Sequence, residues 1–124
     1  MKITKKTIIH VDDDNLYLDF VHYIFSPFNF VVRSCSGKRL LEYLECINAD
    51  LIILDVEMPE MDGWETIMHL KKNDATKNIP VIFFSGSDSR EEIEKGLSLG
   101  AVDYITKPCI PDELIERVHS LLYA

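Results

Sequence analysis

Three short runs constrain this chain most: Ile8 to Val11, Leu51 to Leu54 and Val81 to Phe84 are apolar without alternation, apart from His10. Successive strand side chains point to opposite faces, so a strand apolar at nearly every position needs both faces covered. Runs of this length, rich in Ile and Val, read as strands buried inside a parallel sheet. Phe30 to Arg33 and Asp103 to Thr106 are two weaker strand candidates.

Helix patterns lie between the strands. Leu16, Phe20, Tyr23 and Ile24 mark a first helix, stopped before Pro27, and Ser36 can cap a second that carries Leu40, Leu41 and Leu44. Trp64 to Lys72 is a third. Ser89 with Glu92 forms a capping box that opens a fourth, running to about Leu99, where Gly100 can close it. In the fifth, Pro111 suits the first turn, and Leu114, Ile115, Val118, Leu121 and Leu122 share one stripe. Strand then helix, five times over, predicts an α/β fold with one parallel sheet and helices on both faces. With no repeat, low-complexity stretch or linker, one domain fills residues 1–124.

Charge narrows the function. Asp and Glu number 21 against 13 Lys and Arg, a net charge of -8. That balance repels phosphate backbones and argues against direct nucleic-acid binding. It suits a protein that handles cations or docks on basic or apolar partners. No apolar run approaches the ~18 residues of a membrane span, and no signal-peptide core follows Met1. Cys35, Cys46 and Cys109 form no C-x-x-C pair, so they read as ordinary reduced thiols of a cytoplasmic protein.

The chemistry gathers where the strands end. Val11 is followed by Asp12, Asp13 and Asp14, Leu54 by Asp55, Phe84 by Ser85, and the last strand ends at Lys107. In an open parallel sheet, ligands bind outside the carboxyl ends of the strands. Asp12, Asp13, Asp55, Ser85 and Lys107 are therefore expected in one site. Three carboxylates and one ammonium leave it with two excess negative charges, and one divalent cation would balance them. All-oxygen ligands favour Mg²⁺, which keeps waters and leaves room for a phosphoryl group.

These residues resemble a known family. Ile8-Ile9-His10-Val11-Asp12-Asp13-Asp14 is similar to the acidic first strand end of response-regulator receiver domains. Asp55-Val56-Glu57-Met58-Pro59-Glu60-Met61-Asp62-Gly63 resembles their phosphoacceptor loop. Ser85-Gly86 resembles their hydroxyl-plus-small-residue pair, and Tyr104-Ile105-Thr106-Lys107-Pro108 their switch aromatic and lysine. The resemblance covers essentially the whole chain, with every motif in order.

It implies a flavodoxin-like doubly wound sheet of order 2-1-3-4-5. Helices one and five lie on one face, and two, three and four on the other. It implies that Asp55 accepts a phosphoryl group from a phosphohistidine of a sensor kinase or phosphotransfer protein. Asp13, Asp55 and the Glu57 backbone carbonyl would hold Mg²⁺, with Asp12 acting through water. Ser85 would bond the phosphoryl group after transfer, and Gly86 would leave it uncrowded. Lys107 would pair with Asp55 before transfer and with the phosphoryl group after it. Tyr104 would serve as a switch with Ser85, and the Lys107–Pro108 bond would be cis. Output would leave through helix four, strand five and helix five, a face carrying Arg90, Glu94, Lys95, Asp103, Glu113 and Arg117.

On this reading the chain is no enzyme beyond its own phosphorylation and dephosphorylation. It is a stand-alone receiver or one cut from a larger protein; a carrier in a phosphorelay without its own output is the alternative. A Mg²⁺-dependent aspartyl-phosphate phosphatase wants Asp where Glu57 stands. A flavin carrier needs a hydroxyl-rich phosphate loop where Asp12 to Asp14 stand.

Other residues have plainer readings. Asp14 suits a helix start, and Asp62-Gly63 loop geometry and helix entry. His10 departs from the strand pattern and is expected as a hydrogen-bonded core or edge histidine. His22, His69 and His119 lie on helix patterns and are expected to be exposed, with the Met and Phe residues filling the core.

Overall fold

The structure, a computed structural model, describes residues 5–123. Five parallel strands, β1 (Thr7–Val11), β2 (Phe30–Ser34), β3 (Leu51–Leu54), β4 (Val81–Ser85) and β5 (Asp103–Thr106), form one sheet of order β2-β1-β3-β4-β5. Helices α1 (Asn15–Phe25), α2 (Gly37–Tyr43), α3 (Gly63–Lys72), α4 (Arg90–Ser98) and α5 (Pro111–Leu122) alternate with them. Every expected element is present, with strand ends within a residue of those read from the sequence.

The strands sort their side chains by parity. Ile8, Leu51, Ile53, Ile82, Phe84 and Ile105 face Val21, Phe25, Leu114 and Val118 of α1 and α5. Ile9, Val11, Ile52, Leu54, Val81, Phe83 and Tyr104 face Leu40, Ile67 and Leu70 of α2 and α3, with Ile93 of α4 beside them. This is the expected division of the helices. Burying each such side chain contributes roughly 1.5–3 kcal/mol, so both faces stabilise the sheet.

Side chains fix the helix starts. Asp14 accepts from Leu16 N, Ser36 from Arg39 N, Asp62 from Glu65 N and Ser89 from Glu92 N. Gly100, at φ +114°, ends α4 in the left-handed region that favours glycine. Gly63 opens α3 against the strand end. A Cβ there would lie 2.3 Å from the Asp55 carbonyl oxygen and 2.7 Å from Val56 Cα, so only glycine lets α3 approach this closely.

Some placements differ from the sequence reading. The buried stripe of α1 is Leu18, Val21, Ile24 and Phe25, whereas Leu16 and Tyr23 are 78% and 81% exposed. The helix is apolar on several sides, and spacing alone did not choose the face. Phe28, Phe30 and Met68 are exposed rather than core. His69 is exposed, but His22 and His119 are half-buried. The cysteines are free thiols.

Candidate functional site

Backbone ladder bonds carry the sheet one residue past its strands and aim the functional side chains. Asp12 N donates to Ser34 O (3.0 Å), Asp55 N to Val11 O (3.0 Å) and Lys107 N to Ser85 O (2.9 Å). Residues up to 95 positions apart thus meet at the carboxyl edge, in one cleft lined by Asp12, Asp13, Asp55, Glu57, Ser85, Gly86 and Lys107, with Tyr17 at its wall. The Lys107–Pro108 bond is cis, as expected.

Asp12, Asp13 and Asp55 each bring a carboxylate oxygen within 4.8 Å of the others. Asp12 is fully buried, Asp55 is nearly so, and Asp13 is exposed at the mouth. Lys107 Nζ donates to Asp12 Oδ2 at 2.6 Å and lies 3.4 Å from Asp55 Oδ2. Asp55 Oδ1 accepts from Val56 N at 2.8 Å, and Asp12 Oδ1 from Asp14 N at 2.9 Å.

Burial, then the Asp12 charge, push the Asp55 carboxyl up to about 6, against the opposing pull of Lys107 and Ser85. Burial pulls the Lys107 ammonium down, but its bond to Asp12 and the charges of Asp55 and Asp12 outweigh that and hold it above the usual lysine value. A buried acid pushed up by a neighbouring acid is a site short of positive charge. The donor set is all oxygen, which suits a hard divalent cation.

A family model described as "Response regulator receiver domain" matches residues 8–119. The chain belongs to the response-regulator receiver family. Among curated relatives it is 39% identical over 120 residues to a "Probable cyclic di-GMP phosphodiesterase" of Vibrio cholerae, covering 97% of this chain and 27% of that protein. It is 32% identical to the alkaline phosphatase synthesis regulatory protein PhoP of Bacillus subtilis, covering 94% of this chain and 48% of that one. The chain thus spans half or less of the curated relatives it matches.

Solved receivers superpose closely. A putative response regulator from Chloroflexus aurantiacus gives a TM-score of 0.91 at 27% identity, covering 98% of this chain and all of that one. The receiver domain of Francisella response regulator 1452 gives 0.87 at 34% identity, covering 95% and 97%.

Within this receiver, Asp12, Asp13, Asp55, Ser85 and Lys107 lie together as the sequence suggested. Lys107, however, is bonded to Asp12 more closely than to Asp55. Gly86 leaves its side open: a Cβ there would meet nothing within 4 Å. Tyr104 is buried on the α4 side of the sheet, tilted against Phe83 at 5.7 Å, and its hydroxyl donates to the Ser87 carbonyl. The Tyr104 side chain is therefore turned inward here.

On α4, β5 and α5, Arg117 pairs with Asp103 at 2.6 Å and Arg90 with Glu94 at 3.1 Å, while Lys95 caps the Trp64 ring at 4.8 Å. His10 is fully buried, with neither ring nitrogen hydrogen-bonded among the described residues. That corrects the expectation of a bonded histidine. Its Nε2 lies 3.9 Å from Asp12 Oδ2, beyond hydrogen-bond reach. Burial first, then the Lys107 and Arg33 charges, hold its pKa down at about 3, so it is neutral.

Two site neighbours escaped the sequence reading. Ser87 Oγ donates to Glu57 Oε1 at 2.9 Å across the cleft, so the Glu57 side chain has a partner besides the role expected of its backbone. Tyr17 lays its ring against Lys107, with the ammonium 4.1 Å from the ring centroid. Neither contact leaves a periodic signal, because the partners are far apart in sequence.

Proposed function

We propose that the chain is a phosphoacceptor switch of a two-component signalling system, taking a phosphoryl group from a phosphohistidine of a kinase or phosphotransfer protein onto Asp55. The observation that carries this reading is the Asp55 carboxylate at the end of β3, within 4.8 Å of the Asp12 and Asp13 carboxylate oxygens and 3.4 Å from Lys107.

An Asp55 oxygen attacks phosphorus as the bond to the donor imidazole nitrogen breaks. The electron pair leaves with that nitrogen, and the donor's other ring nitrogen carries a proton, so the imidazole departs neutral. Attack needs the ionised carboxylate; with its pKa raised to about 6, Asp55 is still mostly ionised at neutral pH. Asp13, Asp55 and the Glu57 backbone carbonyl would hold Mg²⁺, with Asp12 acting through water. A divalent cation held there would supply neutralisation of charge on the transferring group. Lys107, held by Asp12, would bond a phosphoryl oxygen, and the Ser85 hydroxyl would donate to another.

Phosphorylation adds about -1.5 to -2 charge and three acceptor oxygens beside Ser85. Drawing Ser85 toward them would favour the interior Tyr104 seen here and fix the surface of α4, β5 and α5 for a partner or a second copy. Both arrangements would coexist beforehand, separated by a few kcal/mol. The chain acts on no substrate but its own aspartyl phosphate, in the cytoplasm.

The test is transfer of label from a phosphorylated histidine kinase or phosphotransfer protein in Mg²⁺. The wild-type chain should take up label and Asp55→Asn should not. Equal labelling of both would overturn the assignment.

A further inference from the structure

We propose that Tyr17 is a positioning residue for Lys107: its ring face holds the ammonium between Asp12 and Asp55 and shuts off the direction in which the lysine would otherwise swing into water. The proposal rests on the receiver reading for its functional consequence.

The Lys107 ammonium has carboxylates on one side, at 2.6 Å (Asp12) and 3.4 Å (Asp55). On another side lies the Tyr17 ring, centroid 4.1 Å away, with Phe84 at 5.5 Å. An ammonium over an aromatic face is attracted by the ring's negative quadrupole, and more strongly where water is thinned out. Here the lysine side chain is only 10% exposed.

The ring is itself fixed. It meets Phe84 edge-on at 5.5 Å and Phe20 edge-on at 6.3 Å. Its backbone sits in the first turn of α1, with Tyr17 N donating to the Asp14 carbonyl at 3.1 Å. A lysine stem has four rotatable carbons, and two carboxylates alone leave it free to exchange one for the other or for solvent. The ring restricts that freedom without offering an acceptor that would hold the ammonium back from an arriving phosphoryl oxygen. Leucine at this position would fill space but present no negative face.

The experiment compares wild type, Tyr17→Phe, Tyr17→Leu, Lys107→Ala and the double variant Tyr17→Leu/Lys107→Ala. The readouts are the rate of Asp55 phosphorylation by acetyl phosphate in saturating Mg²⁺ and the NMR shifts of the Lys107 side chain. Tyr17→Phe keeps the ring face and should keep both the rate and the ring-current shift of the lysine signals. Tyr17→Leu should lose the ring-current shift from that ring and slow phosphorylation about three- to tenfold. Once Lys107 is alanine, adding Tyr17→Leu should slow nothing further, which a general loss of packing would not reproduce.

Equal slowing of phosphorylation by Tyr17→Leu with and without Lys107, or lysine signals unmoved in Tyr17→Leu, would overturn the proposal. Failure of the wild type to be phosphorylated at Asp55 would instead overturn the receiver reading, while the lysine shifts would still decide whether Tyr17 places Lys107.

Discussion

Lys107 Nζ is bonded to Asp12 Oδ2 at 2.6 Å and stands 3.4 Å from Asp55 Oδ2, so the lysine is anchored on the acid beside Asp55. With Asp12 fully buried, Lys107 supplies the only positive charge among the residues lining the cleft. Removing one member of a buried pair leaves an uncompensated charge, at a cost of roughly 3–5 kcal/mol when burial is complete. Lys107→Ala should therefore lower the melting temperature in the absence of metal. Mg²⁺ should then raise it by more than it raises wild type, because the added cation replaces the lost charge. Thermal unfolding with and without Mg²⁺ reads this directly; equal shifts in the two proteins would contradict it.

His10 makes stability depend on acid in one direction. The folded protein holds its pKa at about 3, against 6.5 for an ordinary histidine. Below about 6.5 the unfolded chain takes up a proton that the folded one refuses, so stability falls as pH drops through that window. His10→Leu removes both this linkage and two buried nitrogens that have no partner among the described residues. It should stabilise by about 1–3 kcal/mol at pH 7 and by more at pH 5. Urea unfolding at the two pH values checks it; a gain that shrinks toward pH 5 would be the wrong sign.

Asp55 works the other way. Its pKa is raised from 3.8 to about 6, so the folded state binds the proton first as pH falls. The ionised carboxylate thus costs stability above about pH 6, and that cost fades toward pH 4. Asp55→Asn should stabilise the metal-free protein at pH 7.5, with the advantage gone by pH 4. An advantage that does not change with pH would show that the carboxyl is not strained by burial and by Asp12.

Gly63 holds the loop that carries Asp55. A methyl group there would press on the Asp55 carbonyl oxygen and Val56 Cα, backbone atoms with no rotamer to move. Gly63→Ala should destabilise by about 1–3 kcal/mol, as overpacking does. It should also slow phosphorylation even where the variant is fully folded. A stabilised variant with an unchanged rate would contradict the close approach.

What the sequence made legible follows from where the forces are local. The apolar runs at β1, β3 and β4 had no alternative to a covered sheet, and their ends placed Asp12, Asp55 and Ser85 at one edge. The α1 stripe was not legible, since Leu16, Tyr17, Leu18, Phe20 and Val21 surround the helix and only the sheet selects Leu18 and Val21. Nor were the contacts of Tyr17 with Lys107 or Ser87 with Glu57, which exist only after the fold closes. His10 reads as an interruption in a buried strand; that its nitrogens find no partner among the described residues is a property of the packed neighbours.

Intact-protein mass spectrometry after incubation with acetyl phosphate tests most directly whether Asp55 is the phosphoacceptor. In Mg²⁺ the wild-type chain should gain the mass of one phosphoryl group, lose it on treatment with hydroxylamine, and gain nothing when the metal is chelated. Asp55→Asn should gain none under any condition. No mass gain in the wild type, or an acid-stable gain retained by Asp55→Asn, would contradict the account.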